Sequence, residues 1–361
     1  MNSNVFIIAE VGVNHNGSLE MAKKLIDIAG EAGVDAVKFQ TFKSYQVMLP
    51  HTPKAVYQTK NTDIKETQYE MVKKLELSHQ MHFILKEYCL RQHIQFLSTP
   101  FDLDSLDFLV HILHLPIIKM ASGEITNAPL LLKAASCGKK IILSTGMSTL
   151  GDIEEALGVL AFGYIEGKKK NTIPSRESFK KAYYSELGQK FLHKNMTLLH
   201  CTTEYPAPFK ESNLRVLKTL RQCFGLPVGF SDHTLGIALP LAAVALGAIV
   251  IEKHITLDRN LPGPDHRASL EPRELLQMVQ GIRQIEEALG NPYKKPGPSE
   301  LKNQKVARKS IVAACNIQKG ELFTEENLTV KRPGEGLSPL QFWDLIGKIA
   351  PKSYLENEVI I

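Results

Sequence analysis

Eight short apolar runs punctuate the chain up to His254, and each is separated from the next by a longer stretch of helical character. This alternation constrains the fold more than any other feature. The runs are Val5–Glu10, Ala36–Thr41, Gln95–Thr99, Pro116–Met120, Lys140–Thr145, Met196–Cys201, Pro227–Ser231 and Ala248–His254. Between the first two, "SLEMAKKLIDIAGEAG" places Leu19, Ala22, Leu25, Ile26 and Ala29 at helical spacing behind a Ser18 cap. Further amphipathic segments are expected at residues 79–91, 103–111, 128–137, 151–160, 212–223, 236–246 and 272–288. Strands alternating with helices build parallel sheets. Eight such units fit a closed (β/α)8 TIM barrel, and a doubly wound open sheet would share the local pattern.

The placement of polar residues separates the two. "AIVIEKHITLDRNLPGPDH", residues 248–266, starts as a buried strand and abruptly presents Glu252, Lys253 and His254. The other runs end similarly, in Glu10 with "GVNHNG", "VKFQTF", "FLSTPFD", "IKMASGE", "ILSTGM", "LLHCTTEYP" and "GFSDHT". A barrel gathers all its strand ends on one face around a single cavity, whereas an open sheet strings them along an edge. The polar ends therefore favour the barrel.

With 361 residues, the chain can hold a barrel of about 250 residues and an appendage. The Pro- and Lys-rich stretch "LGNPYKKPGPSELKN", residues 289–303, reads as an exposed connection after a catalytic domain at 1–288. Residues 304–361 carry short strands broken at Lys319-Gly320 and Pro333-Gly334, as in a small β-rich domain. The Lys-rich segment 163–195 lengthens the link before the sixth strand and is expected to be a solvated surface excursion.

A formal charge of +5 favours anionic small ligands without demanding nucleic acid, because the lysines and arginines are spread along the chain. Five widely spaced cysteines with no C-x-x-C suggest neither a disulfide framework nor a zinc cluster. "MNSNVFIIAE" lacks the features of a signal peptide, and no stretch of about 18 apolar residues marks a membrane span. A soluble, cytoplasmic protein is expected.

Within the cavity, His233 and His254 come from adjacent strands and could share one ion. With a carboxylate such as Glu10 and room for water, the N/O ligand set suits Mn2+, Mg2+ or Co2+ rather than structural zinc. Such an ion could polarise a carbonyl. Lys38 and Lys119 need an anion if buried, or one of them is a Schiff-base amine. Thr99, Ser122, Ser144, Thr203 and Ser231 are hydroxyls at strand ends that could complete a phosphate cradle. An anion site beside a metal site points to joining a phosphorylated acid to an aldehyde.

"IIAEVGVNHNGSLEMAKKLIDIAGEAGVDAVKFQTFKS", "FLSTPFD", "SGEITN", "IILSTGM", "LLHCTTEYPAP", "GFSDHTLG", "IEKHITLD" and "GPDHRASLEP" resemble the sialic acid synthases, the phosphoenolpyruvate-dependent nonulosonic acid synthases. The resemblance spans nearly the whole chain, and "QKGELFTEENLTVKRPGEG" resembles their C-terminal antifreeze-like (SAF) domain. It implies condensation of phosphoenolpyruvate with an N-acetylated hexose and water, giving a nine-carbon 2-keto acid and phosphate. It also implies that His233 and His254 hold the metal, and that Lys38, Thr99, Lys119, Ser122, Ser144, Thr203 and Ser231 hold phosphoenolpyruvate. By the same resemblance Gln40, Tyr205 and Asp265 meet the sugar, joined by Arg332 from the SAF domain of a partner subunit in a domain-swapped homodimer. Glu10 and Glu124 are the candidate bases, and Glu124 is preferred because "SGE" is expected to place it beside Lys119 and Ser122. The acceptor is expected to be N-acetylmannosamine or a 2,4-diacetamido-2,4,6-trideoxymannose, giving N-acetylneuraminate or legionaminate, with pseudaminic acid as an alternative product. Two readings from other classes are a Schiff-base aldolase or lyase using Lys38 or Lys119, and a non-catalytic carbohydrate- or ice-binding protein.

Overall fold

The computed structural model describes residues 4–62, 66–167 and 172–361. It divides into two compact units, Met1–Gly290 and Asn291–Ile361. In the first, strands β1 (Phe6–Gly12), β2 (Ala36–Thr41), β3 (Gln95–Pro100), β4 (Ile117–Met120), β5 (Lys140–Ser144), β6 (Met196–Cys201), β7 (Val228–Asp232) and β8 (Val250–His254) form one sheet. Each lies on an expected run, with ends moved by no more than two residues. The ladder runs β3-β2-β1-β8-β7-β6-β5-β4, every pairing is parallel, and β3 and β4 lie against each other to close the ring. This is the TIM barrel.

Side chains alternate across each strand, which sorts them into two cores. Outward-facing Ile7, Ala9, Val37 and Phe39 join the large cluster under the helices. Inward-facing Ile8, Ala36, Leu97, Ile142, Leu199 and Val250 fill the barrel interior as a separate cluster. The helix Leu19–Ala32 shows how the outer layer is built. Ser18 accepts from the Met21 amide, and Gly33 ends the helix in the left-handed region at φ 78°. The face between them buries Ala22, Leu25, Ile26, Ala29 and Ala32. Each large aliphatic side chain so covered stabilises by roughly 1.5–3 kcal/mol.

Two segments differ from expectation. The Lys-rich stretch 163–195 is not merely a solvated excursion. The helix Leu150–Glu166 runs into it, and two further helices follow, Arg176–Tyr184 and Glu186–Asn195. Ala182 and Leu192 are buried, and Phe179 packs edge-on against Phe162 at 5.3 Å between ring centroids. Lys180, Lys181, Lys190 and Lys194 stay exposed on the outer faces. Its remaining lysines, Lys168, Lys169 and Lys170, lie outside the described residues. Residues 298–303, expected to be an open connection, belong to the helix Pro298–Ala307.

The second unit pairs β9 (Ser310–Ala313) antiparallel to β10 (Leu328–Lys331) around Ile311, Ile317, Phe323, Leu328 and Tyr354. Isolated bridges such as Ile317↔Tyr354 extend its β character. Among the described residues no helix is long and apolar enough to cross a membrane.

Candidate active site

Two residues beyond the inner apolar layer, the same strand faces turn polar. Ile8 leads to Glu10, Ala36 to Lys38, Leu97 to Thr99, Ile117 to Lys119, Ile142 to Ser144 and Val250 to Glu252. Period-two geometry thus delivers one ionisable or hydroxyl side chain from strand after strand to a common level. All six polar residues of this layer are buried.

Glu252 is its electrostatic centre. One of its oxygens lies 3.5 Å from Lys119 Nζ and the other 3.8 Å from Lys38 Nζ, and it accepts a 2.8 Å hydrogen bond from the Ser231 hydroxyl. Burial opposes its charge, but Lys119 and Lys38 outweigh burial and hold its pKa below the usual carboxylate range. Lys38 also pairs with Glu10 at 2.6 Å and donates to Thr99 Oγ1 at 2.9 Å. Lys119 donates to Ser144 Oγ at 2.7 Å. Glu10 is pushed upward by burial, against the pull of Lys38, with the like charge of Glu252 adding to the rise.

Beside the lysines, Ser122 Oγ sits 3.0 Å from Cys201 Sγ and accepts from the Gly146 amide at 2.9 Å. The Thr203 hydroxyl is buried with no hydrogen-bond partner. A Cβ on Gly146 would fall 2.3 Å from Thr203 Oγ1 and 2.9 Å from both Ser122 Oγ and Cys201 Sγ. Only glycine lets these groups crowd around that backbone. Of the seven residues expected to form an anion cradle, Lys38, Thr99, Lys119, Ser144 and Ser231 are linked through Glu252, and Ser122 and Thr203 gather around Gly146.

His233 and His254 stand face to edge with ring centroids 5.4 Å apart, and the Tyr205 ring packs on both, at 4.1 and 5.5 Å. Burial depresses both imidazoles, His233 to about 4 and His254 well below its ordinary value, so both are neutral near pH 7. Neutral imidazole is the form that ligates metal. The His233 Nδ1–H donates to the Thr202 carbonyl at 2.7 Å, which leaves Nε2 as the free lone pair. His254 Nδ1 is buried without a partner. The partnerless Nδ1 of His254 and the acceptor Nε2 of His233 fit a divalent ion that keeps other positions for water or substrate oxygen. Among the described residues no group of three or more His, Cys, Asp or Glu forms a fuller cage.

Gln40, Tyr205 and Asp265 line one cavity of about 220 Å3. Its walls include Tyr57 and Gln58, from the short helix Val56–Asn61, and the apolar side chains Phe42, Val47, Met48 and Met71. Burial raises Asp265 from 3.8 to about 7, with Lys38 alone opposing.

One expected residue lies differently. Glu124, expected beside Lys119, is only half-buried; it accepts from Asn127 Nδ2 at 2.7 Å, and the charge that acts on it is that of Asp102. The carboxylate that faces Lys119 is Glu252. Arg332 follows β10 in the second unit and is exposed. Sequence reasoning notes Glu252 at the end of the eighth strand but gives it no role, and it does not single out Cys201, Gly146, Tyr57 or Gln58. Strand alternation would have found Glu252, because it shares a face with His254 while Lys253 points the other way, to a buried ion pair with Asp232.

Residues 25–294 match the model of the NeuB family, and residues 308–360 match that of the SAF domain. The chain is 52% identical over 354 residues to an N,N'-diacetyllegionaminic acid synthase of Campylobacter jejuni, covering 98% of each. It is 44% identical to one from Legionella pneumophila, covering 95% of this chain and 89% of that one. A pseudaminic acid synthase of Campylobacter jejuni is 34% identical, over 96% of this chain and 93% of its own. Among solved structures, the sialic acid synthetase of Leptospira borgpetersenii aligns with a TM-score of 0.65 at 34% identity, over 83% of this chain and 90% of that one. On this match across the barrel and the C-terminal unit, the chain belongs to the NeuB family and carries a SAF domain.

Proposed function

We propose that the chain condenses phosphoenolpyruvate with a 2,4-diacetamido-2,4,6-trideoxy hexose and water, releasing phosphate and a nine-carbon 2-keto acid of the legionaminic type. The observation that carries this reading is the union of two sites at one barrel mouth. One offers Lys38, Lys119 and hydroxyls to an anion; the other is the cavity of Gln40, Tyr205 and Asp265. The identity to legionaminic acid synthases over nearly the whole chain supports the choice of sugar. So does the apolar wall of Phe42, Val47, Met48 and Met71, which suits a sugar bearing a C6 methyl and two acetyl methyls.

On this reading the two lysines grip the phosphate and carboxylate of phosphoenolpyruvate, with Thr99, Ser122, Ser144 and Thr203 donating hydrogen bonds and Ser231 turning its hydroxyl from Glu252 to join them. Carbon 3 attacks the aldehyde carbon, positive charge develops at carbon 2, water adds there, and the C–O bond to phosphate breaks. The lysines need not move during these steps, because Glu252, Thr99 and Ser144 already hold their ammonium groups. Glu10 is the favoured acceptor of the water's proton: it lies in the lysine cluster, and its raised pKa suits a base working near neutrality. His233 and His254 would hold a divalent ion, Mn2+ before Mg2+ or Co2+, which supplies Lewis-acid polarisation of the aldehyde. The family resemblance further implies a homodimer in which Arg332 serves the acceptor site of a second copy.

A Schiff base at Lys38 is disfavoured, because its carboxylate neighbours outweigh burial and keep the ammonium charged. The test is phosphate release from phosphoenolpyruvate with the diacetamido sugar and, in parallel, with N-acetylmannosamine. Faster release with the diacetamido sugar is expected, abolished by chelator and restored by Mn2+. Preference for N-acetylmannosamine would move the product to N-acetylneuraminate. No release with either sugar would end the proposal.

A further inference from the structure

An aldehyde is what the condensation consumes, yet an aminohexose in water is almost entirely a closed hemiacetal ring. Something must open it. Within the acceptor cavity one side chain has the chemistry for this. Asp265 is buried, lines the cavity beside Gln40, Tyr205 and Tyr57, and makes no side-chain hydrogen bond among the described residues. Its backbone carbonyl is occupied, accepting from Ser269 and Ala268, so the loop is fixed while the carboxyl is left to the cavity. Lys38, the cation that acts on Asp265, is already paired with Glu10 at 2.6 Å and bonded to Thr99. The other ionisable groups that line this cavity are the phenols of Tyr57 and Tyr205.

Resting on the acceptor reading of that cavity, we infer that Asp265 is a catalytic residue that opens the sugar ring, its carboxylic acid giving a proton to the ring oxygen while its other oxygen takes the anomeric hydroxyl proton. The bond between C1 and the ring oxygen breaks, the C1 carbonyl forms, and the ring oxygen becomes a hydroxyl. The carboxylic acid is regenerated with its two oxygens exchanged, so no proton or co-reactant is consumed. The shuttle needs the neutral acid, and burial raises this group to about 7, where a large share is protonated at neutral pH. A carboxylate that merely bound hydroxyls would gain nothing from that environment. The Tyr205 ring, which also packs on His233 and His254, puts the cavity next to the imidazole pair toward which the new carbonyl must turn.

The test exploits a ceiling. An enzyme that only captures free aldehyde cannot outrun spontaneous ring opening, however much enzyme is added. The spontaneous rate is measured by NMR exchange between ring and open forms of the acceptor, and phosphate release is then followed against enzyme concentration. Wild type is expected to climb linearly through that rate, Asp265→Asn to level off at it, and Asp265→Glu to climb past it again. The inference is overturned if wild type itself levels off there, if Asp265→Asn passes the ceiling, or if Asp265→Asn melts cooperatively like wild type yet turns over at no concentration. Should Asp265→Asn fail to fold, the wild-type and Asp265→Glu curves decide: both must pass the ceiling. Wild type that releases phosphate but stays under the ceiling sinks ring opening alone, whereas no release with either sugar sinks the functional reading as well.

Discussion

Replacing Glu252 by Gln removes one negative charge from between two lysines while keeping the side chain's shape and an acceptor for Ser231. At separations of 3.5 and 3.8 Å, each attraction is worth roughly 4–5 kcal/mol at an effective dielectric constant of about 20. Relief of the carboxylate's own desolvation, several kcal/mol in a buried site, offsets part of the loss. Lys119 is then left charged beside Lys38. Its penalty has an upper limit, because an ammonium with an ordinary pKa of 10.5 can shed its proton at pH 7 for roughly 5 kcal/mol. The expected destabilisation at pH 7 is therefore about 3–5 kcal/mol, in line with breaking a buried ion pair from one side. Raising the pH lowers that limit by about 1.4 kcal/mol per unit, so by pH 9 the penalty should shrink to roughly 2 kcal/mol. Denaturant unfolding of wild type and variant at both pH values measures it, and adding Lys119→Met to the variant should recover stability. An unfolding midpoint unchanged at pH 7, or a penalty as large at pH 9, would refute Glu252 as the charge that lets the lysines stay buried.

Two further outcomes follow from the same geometry. Gly146→Ala puts a methyl 2.3 Å from the Thr203 hydroxyl, so the cradle must shift; the KM for phosphoenolpyruvate should rise at least about tenfold, with a stability loss of roughly 1–3 kcal/mol, and an unchanged KM would contradict the cradle. Asp265, raised from 3.8 to about 7, binds a proton in the native state that the unfolded chain has already lost, so it costs the wild type stability progressively from about pH 4 to 7 and no further above. Asp265→Asn escapes that cost: relative to wild type it should gain roughly 3–4 kcal/mol across this window, and unfolding series at four pH values that show a constant difference would count against the raised pKa.

The barrel was readable because buried parallel strands are nearly pure apolar runs, and because strands such as "IVIEKH" change character at their catalytic end. The site was readable as a set of residue types, though not as a set of partners. Lys38 and Lys119 stood out as cations that needed anions, but pairing them with Glu252 requires knowing that β1, β2, β4 and β8 face one another across a closed ring. Glu124 was misplaced because three residues of tight helical turn, Ser122–Glu124, carry it away from the Lys119 face of β4. The acceptor wall was the least legible part. Tyr57 and Gln58 sit in a helix of 6 residues, too short to show a hydrophobic period, so its sequence reads as loop. In 163–195 the lysines masked a narrow apolar stripe of Phe179, Ala182 and Leu192, enough to seat two helices but too sparse to stand out by composition.

Among the described residues, the ring of strands is stitched by backbone ladders at each join but that of β3 with β4. On one side of that join Lys38 is tied to Thr99, on the other Lys119 is tied to Ser144, and Glu252 reaches both lysines from across the bore. The candidate reactive centre is thus also the keystone of the arch. Retuning its charges for a different chemistry also changes what ties β8 to β2 and β4, which couples innovation in this scaffold to the stability of its barrel.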